Sequence, residues 1–185
     1  MNPRLLYVMG PSGAGKDSVL GWLRARLGEQ ATVHWARRTI TRRADAGGES
    51  HEALEAAAFA ADAARGAFAL SWRAHGLWYG IRVAELAPLE RGAWVFVNGS
   101  RAHFGEAAAR FPGLTGVLVT ARPEVLRQRL AARGRESAEQ ILGRMARPAA
   151  PDRPGTTITI ANDGALADAG GRLLEALRAL PGWQA

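Results

Sequence analysis

Nine consecutive residues combine three glycines, a lysine and an aspartate in a spacing that suits phosphate chemistry. The run GPSGAGKDS follows a short apolar segment and opens a segment with helical spacing of apolar residues. Its glycines let backbone N–H groups face anionic oxygens, and its lysine can reach the β- and γ-phosphates of a nucleotide. A glycine-rich turn without a ligand is the alternative. The predicted nucleotide contacts are Gly10, Pro11, Ser12, Gly13, Ala14, Gly15, Lys16, Asp17 and Ser18.

Asp17 stands where this loop pattern ordinarily has a serine or threonine hydroxyl. That hydroxyl binds Mg²⁺, and a carboxylate also offers oxygen but adds a negative charge. Asn98, at the end of a predicted strand, is neutral where many nucleotide-binding sheets carry an acidic metal partner. We infer that Asp17 supplies the missing metal carboxylate, so that the site depends steeply on Mg²⁺. The alternative is that Asp17 only favours the start of the helix.

The charge of the chain indicates a phosphate-rich partner. Its formal net charge is +7, and of 24 basic residues only Lys16 is a lysine. Charge alone does not separate a nucleic acid from a phosphorylated metabolite. No aromatic stacking motif of the single-strand binders is present, which favours a small phosphorylated molecule over a nucleic acid.

Composition also bears on location and size. Cysteine is absent, so neither disulfides nor cysteine-bound zinc contribute, and nothing points to an oxidising compartment. The apolar run Leu5–Met9 is too short for a signal segment or a membrane span. We expect a cytoplasmic, single-domain protein with no membrane partner, as a monomer or homodimer.

Strands alternate with helices along the chain, which predicts an α/β domain with three layers and a parallel sheet, the fold of P-loop NTPases. Predicted strands cover residues 5–9, 32–36, 67–72, 94–97, 116–120 and 156–160. Predicted helices cover residues 17–27, 52–64, 82–90, 123–133, 137–147 and 165–180. Residues 37–51 are predicted to form a basic loop.

Five motifs in order carry a family resemblance over nearly the whole chain: GPSGAGKDS, RRTITRRADAGGESH, FALSWRAHGLWYG, RLAARGRE and IANDG. Together they resemble the guanylate kinases, and more closely the related ribose 1,5-bisphosphate phosphokinases of phosphonate catabolism. The resemblance implies one domain over residues 1–185, with a core of 1–36, 92–128 and 155–185, an acceptor-binding segment of 37–91 and a lid of 129–154. It also implies a kinase that uses ATP and Mg²⁺ to convert ribose 1,5-bisphosphate to 5-phosphoribosyl 1-diphosphate (PRPP).

Departures from the guanylate kinase pattern distinguish between a guanylate kinase and a ribose 1,5-bisphosphate phosphokinase. Arg42 matches the first arginine of their Thr-Arg-x-Pro-Arg pattern, but Asp45 stands where the second would be. Leu70 occupies the position of the glutamate that reads the guanine edge, and losing such a polar partner costs discrimination of roughly 10⁴-fold. A kinase acting on GMP is therefore the weaker alternative. A non-catalytic binding module of the same fold is a second alternative, but it would not need Lys16.

Arginines of the acceptor-binding segment are candidates for holding the phosphates of an acceptor, since a guanidinium binds phosphate with two parallel hydrogen bonds. Arg38 and Arg42, beside Arg37 and Arg43, are the predicted substrate ligands. For any single arginine a solvated basic loop is the alternative. By resemblance, the substrate site also includes Glu49, His51 and the hydroxyl of Tyr79.

The lid and the nucleotide-base site are also assigned by resemblance. Arg133 and Arg144 are the lid arginines expected to join Lys16 in catalysis, although an amphipathic helix pair with a charged outer face would show the same composition. Asn162 and Asp163 of IANDG are expected near the adenine, and an ordinary turn after a strand would use the same residues.

Overall fold

The computed structural model describes residues 4–29, 32–43, 50–132 and 157–184. The strands of these residues are β1 (Leu5–Met9), β2 (Val33–Trp35), β3 (Arg38–Ile40), β4 (Glu52–Ala53), β5 (Phe68–Ala74), β6 (Leu77–Arg82), β7 (Trp94–Asn98), β8 (Thr115–Thr120) and β9 (Thr157–Ala161). The helices are α1 (Lys16–Leu27), α2 (Ala56–Ala64), α3 (Val83–Leu86), α4 (Phe104–Arg110), α5 (Pro123–Ala132) and α6 (Leu166–Arg178).

The larger sheet has five strands in the order β2-β7-β1-β8-β9, and every pair in it is parallel. All five residues of the central strand β1 are buried, as expected of a parallel strand covered on both faces. Leu6 and Val8 contribute to a core shared with α1 and α6, while Leu5, Tyr7 and Met9 contribute to a core shared with the second sheet and α4. The predicted three-layer α/β fold is confirmed.

The carboxyl ends of the parallel strands meet at one edge of the larger sheet. Met9 precedes the glycine-rich loop, Asn98 ends β7, and Asn162 follows β9. Ligand sites of open parallel sheets lie at this edge, next to the point where the strand order reverses. The fold therefore places the residues of three separate motifs within reach of one bound molecule.

The smaller sheet has four strands in the order β4-β3-β6-β5, parallel between β3 and β4 and antiparallel elsewhere. Two sequence predictions are wrong here. The predicted helix at 52–64 begins only at Ala56, because Glu52 pairs with Thr39 in the sheet. The predicted loop at 37–51 contains the strand β3. In both cases pairing with distant strands outweighs the local alanine-rich or basic composition.

Other elements differ in their bounds. The predicted helix at 82–90 is a short α3 followed by a 3₁₀ turn at Ala87–Arg91, because Pro88 interrupts it and Arg82 belongs to β6. β6 and α4 are absent from the predicted elements. The predicted helix at 137–147 lies outside the described residues. In the part of the chain that the structure describes, no helix is long and apolar enough to cross a membrane.

Candidate active site

The loop between β1 and α1 has the backbone geometry of a phosphate cradle. Gly13 and Gly15 adopt φ of +87° and +80°, conformations that a side chain disfavours. A Cβ atom on Gly10 would lie 2.3 Å from the carbonyl oxygen of Val119. Because α1 begins at Lys16, the N–H groups of its first turn have no partners within the helix and are available to an anion. The predicted residues from Gly10 to Ser18 thus form one continuous loop and helix start.

Two residues from other elements hold this loop in place. The side-chain amide of Asn162 is 3% exposed and donates to the Ala14 carbonyl oxygen over 2.8 Å. An Nη atom of Arg129 on α5 lies 3.5 Å from the same oxygen, at the outer limit of a hydrogen bond. A Cβ atom on Gly15 would come within 2.4 Å of the Asn162 amide nitrogen, so glycine permits this contact. Asn162 therefore supports the phosphate loop, a role that the sequence does not reveal.

Asp163 accepts a hydrogen bond from the Arg122 backbone N–H over 2.6 Å and so joins the ends of β8 and β9. This contact is the one expected of an ordinary turn residue. The predicted roles of Asn162 and Asp163 at the adenine stay predictions. Arg129, which contacts the loop, lies on α5. The arginines predicted for the lid, Arg133 and Arg144, both lie outside the described residues.

The Asp17 carboxylate accepts hydrogen bonds from two side chains. One carboxylate oxygen accepts from Lys16 Nζ over 3.1 Å and from the buried amide of Asn98 over 2.8 Å. Burial alone would raise the pKa of Asp17, but the charge of Lys16, the Asn98 hydrogen bond and the charge of Arg38 lower it below its ordinary value. The side chain is 60% exposed, so an anionic carboxylate faces solvent beside the phosphate cradle.

Of the predicted acceptor residues that the structure describes, Arg38 and Tyr79 lie on strands of the smaller sheet, Arg42 follows β3 and His51 precedes β4. The Arg38 guanidinium lies 5.2 Å from the centre of the Tyr79 ring, and its charge reaches Asp17. Arg42 and His51 form a pair: Nη2 of Arg42 is 3.4 Å from His51 Nδ1, and His51 Nε2 is 3.2 Å from the Arg42 carbonyl oxygen. A neutral histidine with its proton on Nε2 satisfies both contacts. Glu49 lies outside the described residues.

A groove of about 420 Å³ adjoins the Arg42–His51 pair. Its lining residues are Thr41, Arg42, Arg43, Ala53, Leu54, Glu55 and Ala58. The Nε atom of Arg42 is buried and makes no hydrogen bond within the described residues. Arg42 and Arg43 bring positive charge to this groove, and Glu55 brings negative charge.

A charged network that the sequence did not indicate joins the elements of the predicted acceptor-binding segment. Arg82 donates to both carboxylate oxygens of Glu52, over 2.6 and 2.7 Å, and to Asp62 over 2.9 Å. The Thr39 hydroxyl also donates to Glu52, over 2.7 Å. Glu52 and Arg82 are 30 positions apart, and no local pattern signals their pairing. The network ties β3, β4, β6 and α2 together.

The fold and the phosphate loop define a P-loop nucleotide-binding protein, and the comparisons agree. The family described as AAA domain matches residues 6–146. A guanylate kinase of Anaplasma phagocytophilum has the same fold, with a TM-score of 0.66 at 16% identity over 95% of this chain and 84% of its own.

Relatives with similar sequences show which family of P-loop proteins the chain belongs to. A protein of Chromobacterium violaceum named ribose 1,5-bisphosphate phosphokinase PhnN is 52% identical over 94% of this chain and 93% of its own. A protein of the same name from Laribacter hongkongensis is 52% identical over 92% of this chain, but the match covers only 42% of that protein. The chain belongs to the ribose 1,5-bisphosphate phosphokinase family, which confirms the resemblance seen in the sequence.

Proposed function

We propose that the protein transfers the γ-phosphoryl group of ATP to ribose 1,5-bisphosphate and so makes PRPP and ADP. The observation that carries the proposal is the 52% identity, over nearly the full length of both chains, to a relative with that name. The phosphate loop supplies the nucleotide half of such a reaction. Arg38 and Arg42 supply cations for an acceptor with two phosphates.

The reaction needs positioning more than proton transfer. An oxygen of the acceptor's 1-phosphate forms a bond to the γ-phosphorus, while the bond from that phosphorus to the β,γ-bridging oxygen breaks and its electron pair leaves with ADP. A phosphate monoester has its second pKa near about 6, so the acceptor is already a dianion at neutral pH. No side chain has to act as a general base, which leaves alignment and charge neutralisation as the work of the site.

Lys16 and the N–H groups of the phosphate loop hold the β- and γ-phosphates in this proposal. Arg38, Arg42, His51 and Tyr79 orient the acceptor, with Glu49 beside them. Arg133 and Arg144 add positive charge over the transferring group. The amide of Asn162 keeps the loop in its binding shape through the Ala14 carbonyl oxygen.

Asp17 fits Mg²⁺ as a single protein ligand. Its carboxylate is anionic, 60% exposed and oriented by Asn98, and Mg²⁺ favours one or two carboxylates together with water and phosphate oxygens. Within the described residues no group of three or more histidine, cysteine or acidic side chains could hold a metal. Bound Mg²⁺ would neutralise charge on the phosphates. The amide of Asn98 keeps the Asp17 carboxylate at the cradle.

The first experiment measures ADP release from Mg-ATP with either ribose 1,5-bisphosphate or GMP as acceptor, and identifies the product by phosphorus NMR. We expect a diphosphate signal only with the ribose bisphosphate. Turnover of GMP without turnover of the sugar bisphosphate would make the protein a divergent guanylate kinase. Binding of nucleotide with no turnover of either acceptor would favour a binding module.

A second experiment addresses the Asp17–Asn98 pair. Asp17→Asn should weaken Mg²⁺-dependent ATP binding by about tenfold or more, because the metal loses its protein carboxylate. The double variant Asp17→Asn, Asn98→Asp moves the carboxylate across the 2.8 Å contact and should recover part of the loss. Calorimetric titration of ATP with and without Mg²⁺ measures both effects without turnover. An unchanged Mg²⁺ requirement in Asp17→Asn would reduce Asp17 to a helix-start residue.

The proposal extends to a cytoplasmic monomer or homodimer whose partner is a small phosphorylated sugar. Size-exclusion chromatography with light scattering determines the oligomeric state.

A further inference from the structure

Three rings form a parallel stack beside the predicted acceptor phosphate site. The Trp72 ring lies 5.6 Å from the Tyr79 ring with an interplanar angle of 7°, and 5.2 Å from the His103 ring with an angle of 21°. All three side chains are buried, Trp72 at 6% exposure. These residues, the aromatic stack, come from β5, β6 and the turn after β7.

Strand register places Trp72 and Tyr79 of the aromatic stack on the inner face of the smaller sheet. Trp72 is directly opposite Tyr79 in the β5–β6 pair, and Leu70 is opposite Ile81. Because side chains of opposite residues share a face, Leu70 and Ile81 adjoin the stack. Both are buried and apolar, so the stack has an apolar neighbourhood on the sheet.

The His103 end of the stack is fixed by hydrogen bonds. The Tyr7 hydroxyl accepts the Ser100 N–H over 2.9 Å and lies 3.2 Å from His103 Nδ1. Gly99 makes this approach possible, since a Cβ atom there would lie 2.0 Å from the Tyr7 ring. Burial lowers the pKa of His103, although the charge of Glu106 opposes this shift. The lowered pKa favours a neutral His103 ring beside Trp72.

The other end of the stack reaches the acceptor residues. The Arg38 guanidinium lies over the Tyr79 ring, and Tyr79 is a predicted ligand of the acceptor phosphate. An acceptor held at these two residues by its phosphate would bring an attached base, if it had one, alongside the Tyr79 ring. Bases bind proteins by stacking on such aromatic faces. The Trp72 indole packs parallel to the Tyr79 ring at this place.

We propose that Trp72 is a specificity-determining residue of the acceptor site, because its indole fills the space beside Tyr79 where the base of a nucleoside monophosphate would stack. The inference rests on the proposed function for the identity of the true acceptor. The role of Trp72 differs from that of Leu70. Leu70 removes a polar partner and so weakens the recognition of guanine alone, whereas an indole that fills the space excludes every base. A base-free sugar phosphate keeps its contacts with Arg38 and Tyr79 and needs no such space.

The test compares ligands that differ by the base. Calorimetric titration measures the Kd of GMP, AMP and ribose 5-phosphate for the wild-type protein and for Trp72→Ala. We expect both nucleotides to bind at least about tenfold more tightly to the variant, because a stacking face on Tyr79 becomes accessible. Ribose 5-phosphate, which has the sugar and phosphate without a base, should change by less than about threefold.

Trp78→Ala is the matched control, since Trp78 is the neighbour of Tyr79 on β6 but is 42% exposed and faces away from the stack. It should leave all three affinities unchanged. If Trp72→Ala does not fold, as judged by its melting transition, Trp72→Leu removes the indole while retaining an apolar side chain and should act in the same direction.

The outcomes separate the two proposals. Unchanged nucleotide affinity in a folded Trp72 variant would overturn the role of Trp72, and so would an equal gain for ribose 5-phosphate. Because binding is measured without turnover, this result stands whatever the kinase assay shows. Failure of the wild-type protein to phosphorylate ribose 1,5-bisphosphate would instead overturn the proposed function.

Discussion

The phosphate loop and the predicted acceptor-binding segment are built in different ways. Short-range backbone hydrogen bonds join residues of the loop, Ala14 N–H to Pro11 and Val19 N–H to Gly15, and the distant residue Asn162 also supports it. The acceptor side depends on contacts between distant positions, such as Arg82 with Glu52 and Trp72 with His103. A site made of backbone can be encoded locally, whereas a site made of packed side chains needs the whole fold. The short motif by itself therefore indicates the chemistry, whereas the acceptor is indicated only by residues spread along the chain.

Lys16→Met should have the largest effect, because it removes the one side-chain cation of the loop while leaving the backbone cradle intact. We expect kcat/KM to fall by at least about a thousandfold. The melting temperature should change little, since the substitution creates no cavity. Arg24→Met, on an exposed position of the same helix, is the control and should keep full activity. Retained turnover in Lys16→Met would remove Lys16 from its assigned role.

Gly15→Ala tests whether backbone geometry alone defines the loop. The new Cβ would lie 2.4 Å from the Asn162 amide nitrogen, at a residue whose φ is +80°. We expect ATP affinity to fall about tenfold or more and stability to fall by about 1–3 kcal/mol.

The matched change is Gly21→Ala, since a Cβ at Gly21 in the interior of α1 would meet nothing within 4 Å. It should raise stability by about 0.5–1 kcal/mol. Urea unfolding and calorimetric ATP titration measure both variants. Equal behaviour of the two alanines would show that the loop tolerates side chains and that its glycines are not required.

Glu52→Gln weakens the acceptor side without touching the loop. It removes the charge that accepts from Arg82 and Thr39, and hydrogen bonds to charged groups are worth about 1.5–3 kcal/mol when partly buried. We expect a loss of about 1–3 kcal/mol in urea unfolding, a raised KM for the acceptor and an unchanged Kd for ATP.

Glu124→Gln is the control for Glu52→Gln, because its ion pair with Arg127 is exposed and spans 3.5 Å. It should cost less than about 0.5 kcal/mol. A weakened ATP affinity in Glu52→Gln would contradict the independence of the two regions.

His103→Phe should have the smallest effect on function; it removes the contact with the Tyr7 hydroxyl and changes the pH dependence of stability. The pKa of His103 in the folded protein is below its ordinary value of 6.5, because burial disfavours the charged ring. The unfolded chain therefore binds a proton more readily, and stability is full above 6.5 and falls as pH drops below it. Between about pH 7.5 and about pH 5.5, the melting temperature of the variant should fall less than that of the wild-type protein. The phenylalanine ring has no nitrogen that can bind a proton. Parallel curves for the two proteins would refute a buried neutral His103.

Much of the larger sheet could be read from the sequence. β1 matches its predicted bounds, and β7, β8 and β9 match theirs within one residue, because short apolar runs bounded by glycine and polar residues are distinctive in parallel sheets. The smaller sheet was largely missed. Glu52 and Ala53 lie in an alanine-rich stretch that locally favours a helix, and only pairing with β3 makes them a strand.

The candidate site also has a part that the sequence predicted and a part that it did not. The sequence predicted the phosphate loop and a metal role for Asp17, and the structure brings Asp17 and Asn98 into contact across 81 positions. No spacing rule could have found the Arg82–Glu52 network or the aromatic stack, because each depends on how the strands align. The predicted roles of Asp17, Arg38 and Tyr79 stay predictions until ligands are bound.

The single lysine gives the protein a built-in chemical reporter. Its ε-amine is the only side-chain amine among 24 basic residues, and it is 15% exposed beside Asp17. Acylating reagents modify amines and leave the guanidinium groups of arginine, which stay protonated. Acylation of Lys16 adds a fixed mass to one side chain, so mass spectrometry can measure how accessible the phosphate loop is. Protection of that amine on addition of a nucleotide would measure occupancy of the loop in the unmutated protein, even in a mixture.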